Sequence, residues 1–115
     1  MSELRRKRVE SLIQQQIGSL INLQIIKDPR VEPLAVVTRV VVSRDYHYSK
    51  VYISFYGEHA RLSACVQALN HAAGFIQREL ADRIRLRFTP RLSFHEDRSI
   101  EQGFRVTQKI RELFP

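Results

Sequence analysis

An α+β fold is what this sequence predicts, in the order helix–strand–strand–helix–kink–helix–strand–helix, with a three-stranded mixed sheet carrying its helices on one face. Three observations predict it. Apolar residues recur at three- and four-residue steps through 4–23, 58–83 and 100–114. Two segments rich in β-branched residues, 35–43 and 50–56, flank a short polar and aromatic turn, which favours an antiparallel pair. The helical stretch after them is a crossover to a third strand, and a crossover favours a parallel, right-handed connection. A chain of 115 residues suits a single domain, 1–115, with no repeat, linker or low-complexity tract.

The first helix spans Leu4 to Leu23, with Val9, Leu12, Ile13, Ile17, Leu20 and Ile21 on one face. Arg5, Arg6, Lys7 and Arg8 crowd its first turns, where cations oppose the helix dipole. The cost suggests a use for the cluster, such as meeting an anion. Ile25 to Leu34 is a connector, punctuated by Asp28-Pro29 and Pro33. The first strand, Ala35 to Ser43, is valine-rich and interrupted by Thr38 and Arg39. Lys50 to Tyr56 alternates, with Val51, Ile53 and Phe55 on a covered face and Lys50, Tyr52, Ser54 and Tyr56 on a wetter one. Tyr52 and Tyr56 either stack on bases there or simply cover the sheet.

From Glu58 to about Arg83, Leu62, Cys65, Val66, Leu69, Ala73, Ile76 and Leu80 form one stripe. Gly74 falls inside it, and a glycine there costs about 1 kcal/mol against alanine. Two helices meeting at a bend are therefore expected. Leu92 and Phe94 belong to a short third strand, with Arg91, Ser93 and His95 turned the other way. The last helix opens near Asp97, with a capping-box spacing from Ser99 to Gln102. Its inner face is Ile100, Phe104, Thr107, Ile110 and Phe114, and Gly103 permits close packing.

Nineteen Lys and Arg against twelve Asp and Glu give a formal charge of +7. Most of the cations are arginines, whose planar fork binds phosphate in two-pronged fashion and stacks on bases. A small basic domain of this kind points to nucleic acid, against plain solubility as the bland reading. Arg78, Arg83, Arg85, Arg87 and Arg91 surround the bend and the strand after it. Arg105 and Lys109, with Arg111, make a further cluster. Arg85 and Arg87 alternate with Ile84, Leu86 and Phe88, so they turn outward together. Some of these cations are ordinary solvated charges.

Other chemistry finds little footing. The lone Cys65 lies on the apolar stripe, reads as core, and fits a reducing interior. His47, His59, His71 and His95 are scattered, and His95-Glu96-Asp97 lacks a second ligand group. There is no glycine-rich phosphate loop, no run near the ~20 apolar residues of a membrane span, and no signal-peptide core. No enzyme, no metal and no cofactor is expected, and the location expected is cytoplasmic.

Several stretches together resemble the ribosome-binding factor A family of bacterial and organellar assembly factors. They are Arg8-Val9 with the helix that follows, Asp28-Pro29-Arg30, Thr38 to Asp45, Val51-Tyr52-Ile53-Ser54, Leu69 to Ile76, Leu86 to Phe94 and Asp97 to Gly103. The resemblance implies a type II KH-like fold in which Ala72-Ala73-Gly74 replaces the usual glycine-rich turn. It further implies a non-catalytic factor that binds the free, immature 30S small subunit and its 16S ribosomal RNA. Such a factor supports late maturation and RNA processing, matters most in the cold, and is a monomer when free. The alternative is a general KH-type binder of single-stranded RNA. Two features depart from the family pattern: Tyr46-His47-Tyr48 replaces a plainer turn, and the sequence ends at Pro115 without the basic tail of some members. For Ala72 and Gly74 two roles stand open: close approach of a nucleic-acid backbone, or packing of the helices on the sheet.

Overall fold

The computed structural model describes residues 3–87 and 89–97. Its elements are α1 (Glu3–Asn22), β1 (Val36–Val42), β2 (Tyr48–Ser54), α2 (His59–His71), α3 (Ala73–Arg83) and β3 (Arg91–Glu96). The sheet runs β1-β2-β3, antiparallel between β1 and β2 and parallel between β2 and β3. The helical crossover therefore produces the mixed sheet that the sequence predicts. The expected last helix, with its cap and Gly103, lies outside the described residues.

α1 forms because its apolar residues share one face: Val9, Ile13, Ile17, Leu20 and Ile21 are buried. Leu12, expected on that face, is 43% exposed, one position too far round. The helix ends at a Schellman cap. The Ile25 amide donates to the Leu20 carbonyl (3.1 Å) and the Gln24 amide to that of Ile21 (3.1 Å). Gln24 takes the left-handed conformation this requires, with φ 56°. The connector is tied down afterwards. Ile26 and Val31 are buried, Asp28 grips Arg30, and Glu32 accepts two bonds from the Arg61 guanidinium (2.8 and 3.1 Å).

β1 contains a bulge. Val37 faces Ile53 and Arg39 faces Tyr52, so Thr38 is an extra residue with no partner opposite. This shift lets Val37, Val40 and Val42 all point into the core, while Arg39 and Val41 stay exposed. β2 begins and ends two residues earlier than expected. Tyr56 falls beyond it, 77% exposed, and so does not share the wet sheet face with Tyr52.

The core lies between the sheet and the three helices. Ile13, Ile17, Leu20, Ile53, Leu69, Ile76 and Leu80 are all fully buried in it, at about 1.5–3 kcal/mol of hydrophobic stabilisation each. The bend falls at Ala72, the first residue of the expected Ala72-Ala73-Gly74 kink. Ala72 has φ −90° and ψ 7°, and it closes α2 and opens α3. Ala72 and Ala73 are half-buried against the core, where larger side chains would push α3 away from it.

Candidate nucleic-acid interface

α1 delivers its cations on its first two turns. Arg5, Lys7 and Arg8 are exposed, while Arg6 is half-buried and reaches Glu3 at 3.4 Å. Arg5 meets Arg85 and Arg87 across a cleft whose floor is Val9, Tyr46 and Leu86. Two cation groups far apart in sequence thus share one site. Arg85 and Arg87 are turned outward because Ile84 is buried and Leu86 packs on the core between them. No strand does this. A bond from the Leu86 amide to the Ile84 carbonyl (3.1 Å) makes a three-residue turn centred on Arg85. Neither Arg85 nor Arg87 forms an ion pair with a described residue.

The hairpin tip supplies the cleft's wall. Asp45 accepts from the Ser43 hydroxyl (2.7 Å) and the His47 amide (3.1 Å). These bonds hold its carboxyl below the usual range, so it stays ionised beside the arginines. Tyr46 adopts φ 63°, and its hydroxyl is buried without a hydrogen-bond partner among the described residues.

A second cationic groove passes over the bend. Gly74, Gln77, Arg78 and Thr89 line its upper part. Gln77 and Thr89 also line the next part, with His47, Tyr48 and Arg91. Arg78 and Arg91 are thereby placed along one path. Arg83 instead turns to Glu79 at 3.7 Å, and Arg6, Lys7, Arg8 and Arg83 line neither cleft. Arg105 and Lys109 lie outside the described residues, as does Phe88.

The two roles open for the bend divide between its residues. Gly74 is exposed, and a Cβ built there meets nothing nearer than the Arg78 guanidinium at 3.7 Å. Internal packing therefore does not require glycine at 74, and the bare backbone faces outward. Ala72 serves packing, as its half-burial against the core requires.

Sequence reasoning missed His47, Tyr48, Gln77 and Thr89 as groove residues. Their one sequence signal is nearness to Arg91 and Gly74 once the β2–β3 pairing is known, since Tyr48 lies opposite Arg91. Cys65 is buried, and burial pushes its thiol above the ordinary range, which removes it as a nucleophile at neutral pH. Among the described residues no three His, Cys, Asp or Glu side chains gather as metal ligands, and no helix is long and apolar enough to cross a membrane.

Comparison with known proteins adds four findings. A family model described as ribosome-binding factor A matches residues 5–110. A ribosome-binding factor A of Dictyoglomus thermophilum is 38% identical over 109 residues, spanning 95% of this chain and 90% of that protein. The crystal structure of ribosome-binding factor A from Thermus thermophilus superposes with a TM-score of 0.70 at 29% identity, covering 82% of this chain and 97% of that one. A Thermus thermophilus homology model of the same factor, fitted into a cryo-EM map of its 30S complex, gives a TM-score of 0.56 at 28% identity, over 76% and 93% of the two chains.

Proposed function

The chain belongs to the ribosome-binding factor A family, and from that premise we propose that it binds the small ribosomal subunit and its 16S RNA without catalysing a reaction. The relative fitted into a 30S complex supports the partner. The observation that carries the reading for this chain is the meeting of Arg5, Arg85 and Arg87 in one exposed cleft, beside a groove that leads past Gly74 and Arg78 to Arg91. Guanidinium groups gathered in this way neutralise phosphates, and each contact releases counterions. Arg5, Arg78, Arg85, Arg87 and Arg91 are assigned to RNA, with Lys7 and Arg8 as outlying contacts.

The factor acts by shape and charge on immature RNA. Holding a strand against the bend lets late maturation and RNA processing proceed around it, most usefully in the cold, where misfolded RNA is slow to rearrange.

Sedimentation of cell extract tests this. The protein should travel with free small subunits, and Arg85→Glu with Arg87→Glu should abolish that while leaving the circular dichroism unchanged. Migration with messenger RNA would favour the general KH-type reading instead. Unaltered association of the double variant at every salt concentration would remove these arginines from the interface.

A further inference from the structure

The sheet face turned away from the helices carries a row that the proposed interface does not use. Arg39, Tyr52 and His95 stand opposite one another on β1, β2 and β3. Their side chains touch in sequence. The Arg39 guanidinium lies 4.5 Å from the Tyr52 ring centroid, and the Tyr52 and His95 rings are 5.6 Å apart at 35°. The Ser93 hydroxyl holds His95 Nε2 at 2.9 Å. One row along the sheet lie Val41, Lys50 and Ser93, and beyond them Tyr48 beside Arg91.

The bulge at Thr38 makes this row possible, because in an unbulged strand Thr38 would pair with Tyr52, and Arg39 would fall opposite Val51 and point inward. The face is cationic: Arg39, Lys50 and Arg91 are exposed, and none forms an ion pair with a described residue. The carboxylate at its far end, Asp97, takes the Thr38 hydroxyl at 2.6 Å. The face is also continuous with the groove over the bend, because Tyr48 and Arg91 line both.

We propose that this face, which no other described element covers and which is centred on Tyr52, is a second RNA-binding surface, on which a single strand leaving the bend groove lays its bases against Tyr48, Tyr52 and His95. It rests on the reading of the chain as an RNA-binding factor and extends that reading to a surface outside the arginine clefts. Interleaved aromatic rings and cations are the combination that single strands require: rings accept any base by stacking, and cations follow the backbone. From Tyr48 to Tyr52 the strand advances about 13 Å, room for a short run of bases and no more. Arg39 has a double use, since a guanidinium already stacked on a ring keeps its edge free for a phosphate. A protein partner would need acidic groups against Arg39, Lys50 and Arg91. A second copy of this chain, at +7, presents the wrong charge.

The test uses a dodecameric oligouridine carrying 4-thiouridine, photocrosslinked to the full wild-type chain, with adducts mapped by mass spectrometry. Adducts in the peptides holding Tyr52 or His95 are expected. Adducts confined to Tyr48 and the Arg78 and Arg85–Arg87 segments would overturn the proposal. Tyr52→Leu should weaken oligouridine binding about tenfold with little change in its salt dependence, whereas Tyr52→Phe should bind as the wild type does. Equal affinity of a folded Tyr52→Leu chain would also overturn it, as would a wild-type dimer that Tyr52→Leu converts to monomer. Co-sedimentation of the wild-type chain with small subunits, run alongside, separates failure of the parent reading from failure of this one.

Discussion

The side chain of Asn70 stands in for a fourth strand beside Phe94. The Phe94 amide donates to Asn70 Oδ1 at 2.8 Å, and Asn70 Nδ2 donates to the Phe94 carbonyl at 2.9 Å. Phe94 lies on the outer side of β3, and two residues after Asn70 the chain bends. The opposite edge is treated alike from α1: Glu10 accepts from the Val42 amide (2.8 Å) and Gln14 donates to the Val37 carbonyl (2.8 Å). Polar side chains thus satisfy backbone groups that would otherwise recruit foreign strands. They also pin the helices, and with them the bend, to the sheet.

Replacing Asn70 with Ala should cost about 1–3 kcal/mol in urea denaturation, because both groups of a buried backbone position lose their partner. A loss under about 0.5 kcal/mol would mean that water repairs the gap, and the pin would then be dispensable.

Gln24→Gly should stabilise the fold by about 1 kcal/mol, because only the cap at the end of α1 demands a positive φ there and glycine adopts it freely. Thermal melting reads this directly, and a lowered Tm would contradict the capping argument.

Gly74→Ala separates folding from function. It should raise stability by about 0.5–1 kcal/mol, since the new methyl meets nothing closer than 3.7 Å and alanine favours a helix. The same methyl should weaken association with the small subunit if RNA backbone presses against that point. A variant both more stable and fully able to bind would leave the bare backbone without a use.

Asp28 is held at about 2, against an ordinary 3.8, first by the Arg30 side chain and then by the Arg30 amide. Its folded value is depressed. The stability it contributes is therefore present above the ordinary carboxylate range and lost as pH falls toward 2. An NMR titration should place its midpoint near 2 and, in Arg30→Gln, closer to 3.8. Identical midpoints in the two proteins would show that Arg30 does not set it.

The element order and the mixed sheet were legible because periodicity reports burial, and burial drives both. Errors came where geometry departs from regular periods. Leu12 sits at the margin of the α1 stripe, where a three-residue step and a four-residue step diverge. The bend was legible only as the stretch Ala72-Ala73-Gly74, and within it the break lies at Ala72, where half-burial against the core leaves space for a methyl group. The arginine cleft was half visible. Outward alternation of Arg85 and Arg87 follows from their neighbours, but the arrival of Arg5 depends on how α1 crosses the hairpin tip, which local pattern does not encode. Asn70, Glu10 and Gln14 were invisible as edge partners, because their role exists only once strands have neighbours.

The unmatched Thr38 in β1 sets a counting frame for everything downstream of it in that strand. Drawing that one residue into the ladder opposite Tyr52 would act on the strand as a frameshift acts on a message: Arg39 would be read into the oily interior and Val40 out into water. What the sheet fixes is the number of residues in the ladder, so homologous chains should tolerate many substitutions at 38, and its deletion as well, because Val37 and Arg39 then simply take consecutive ladder positions.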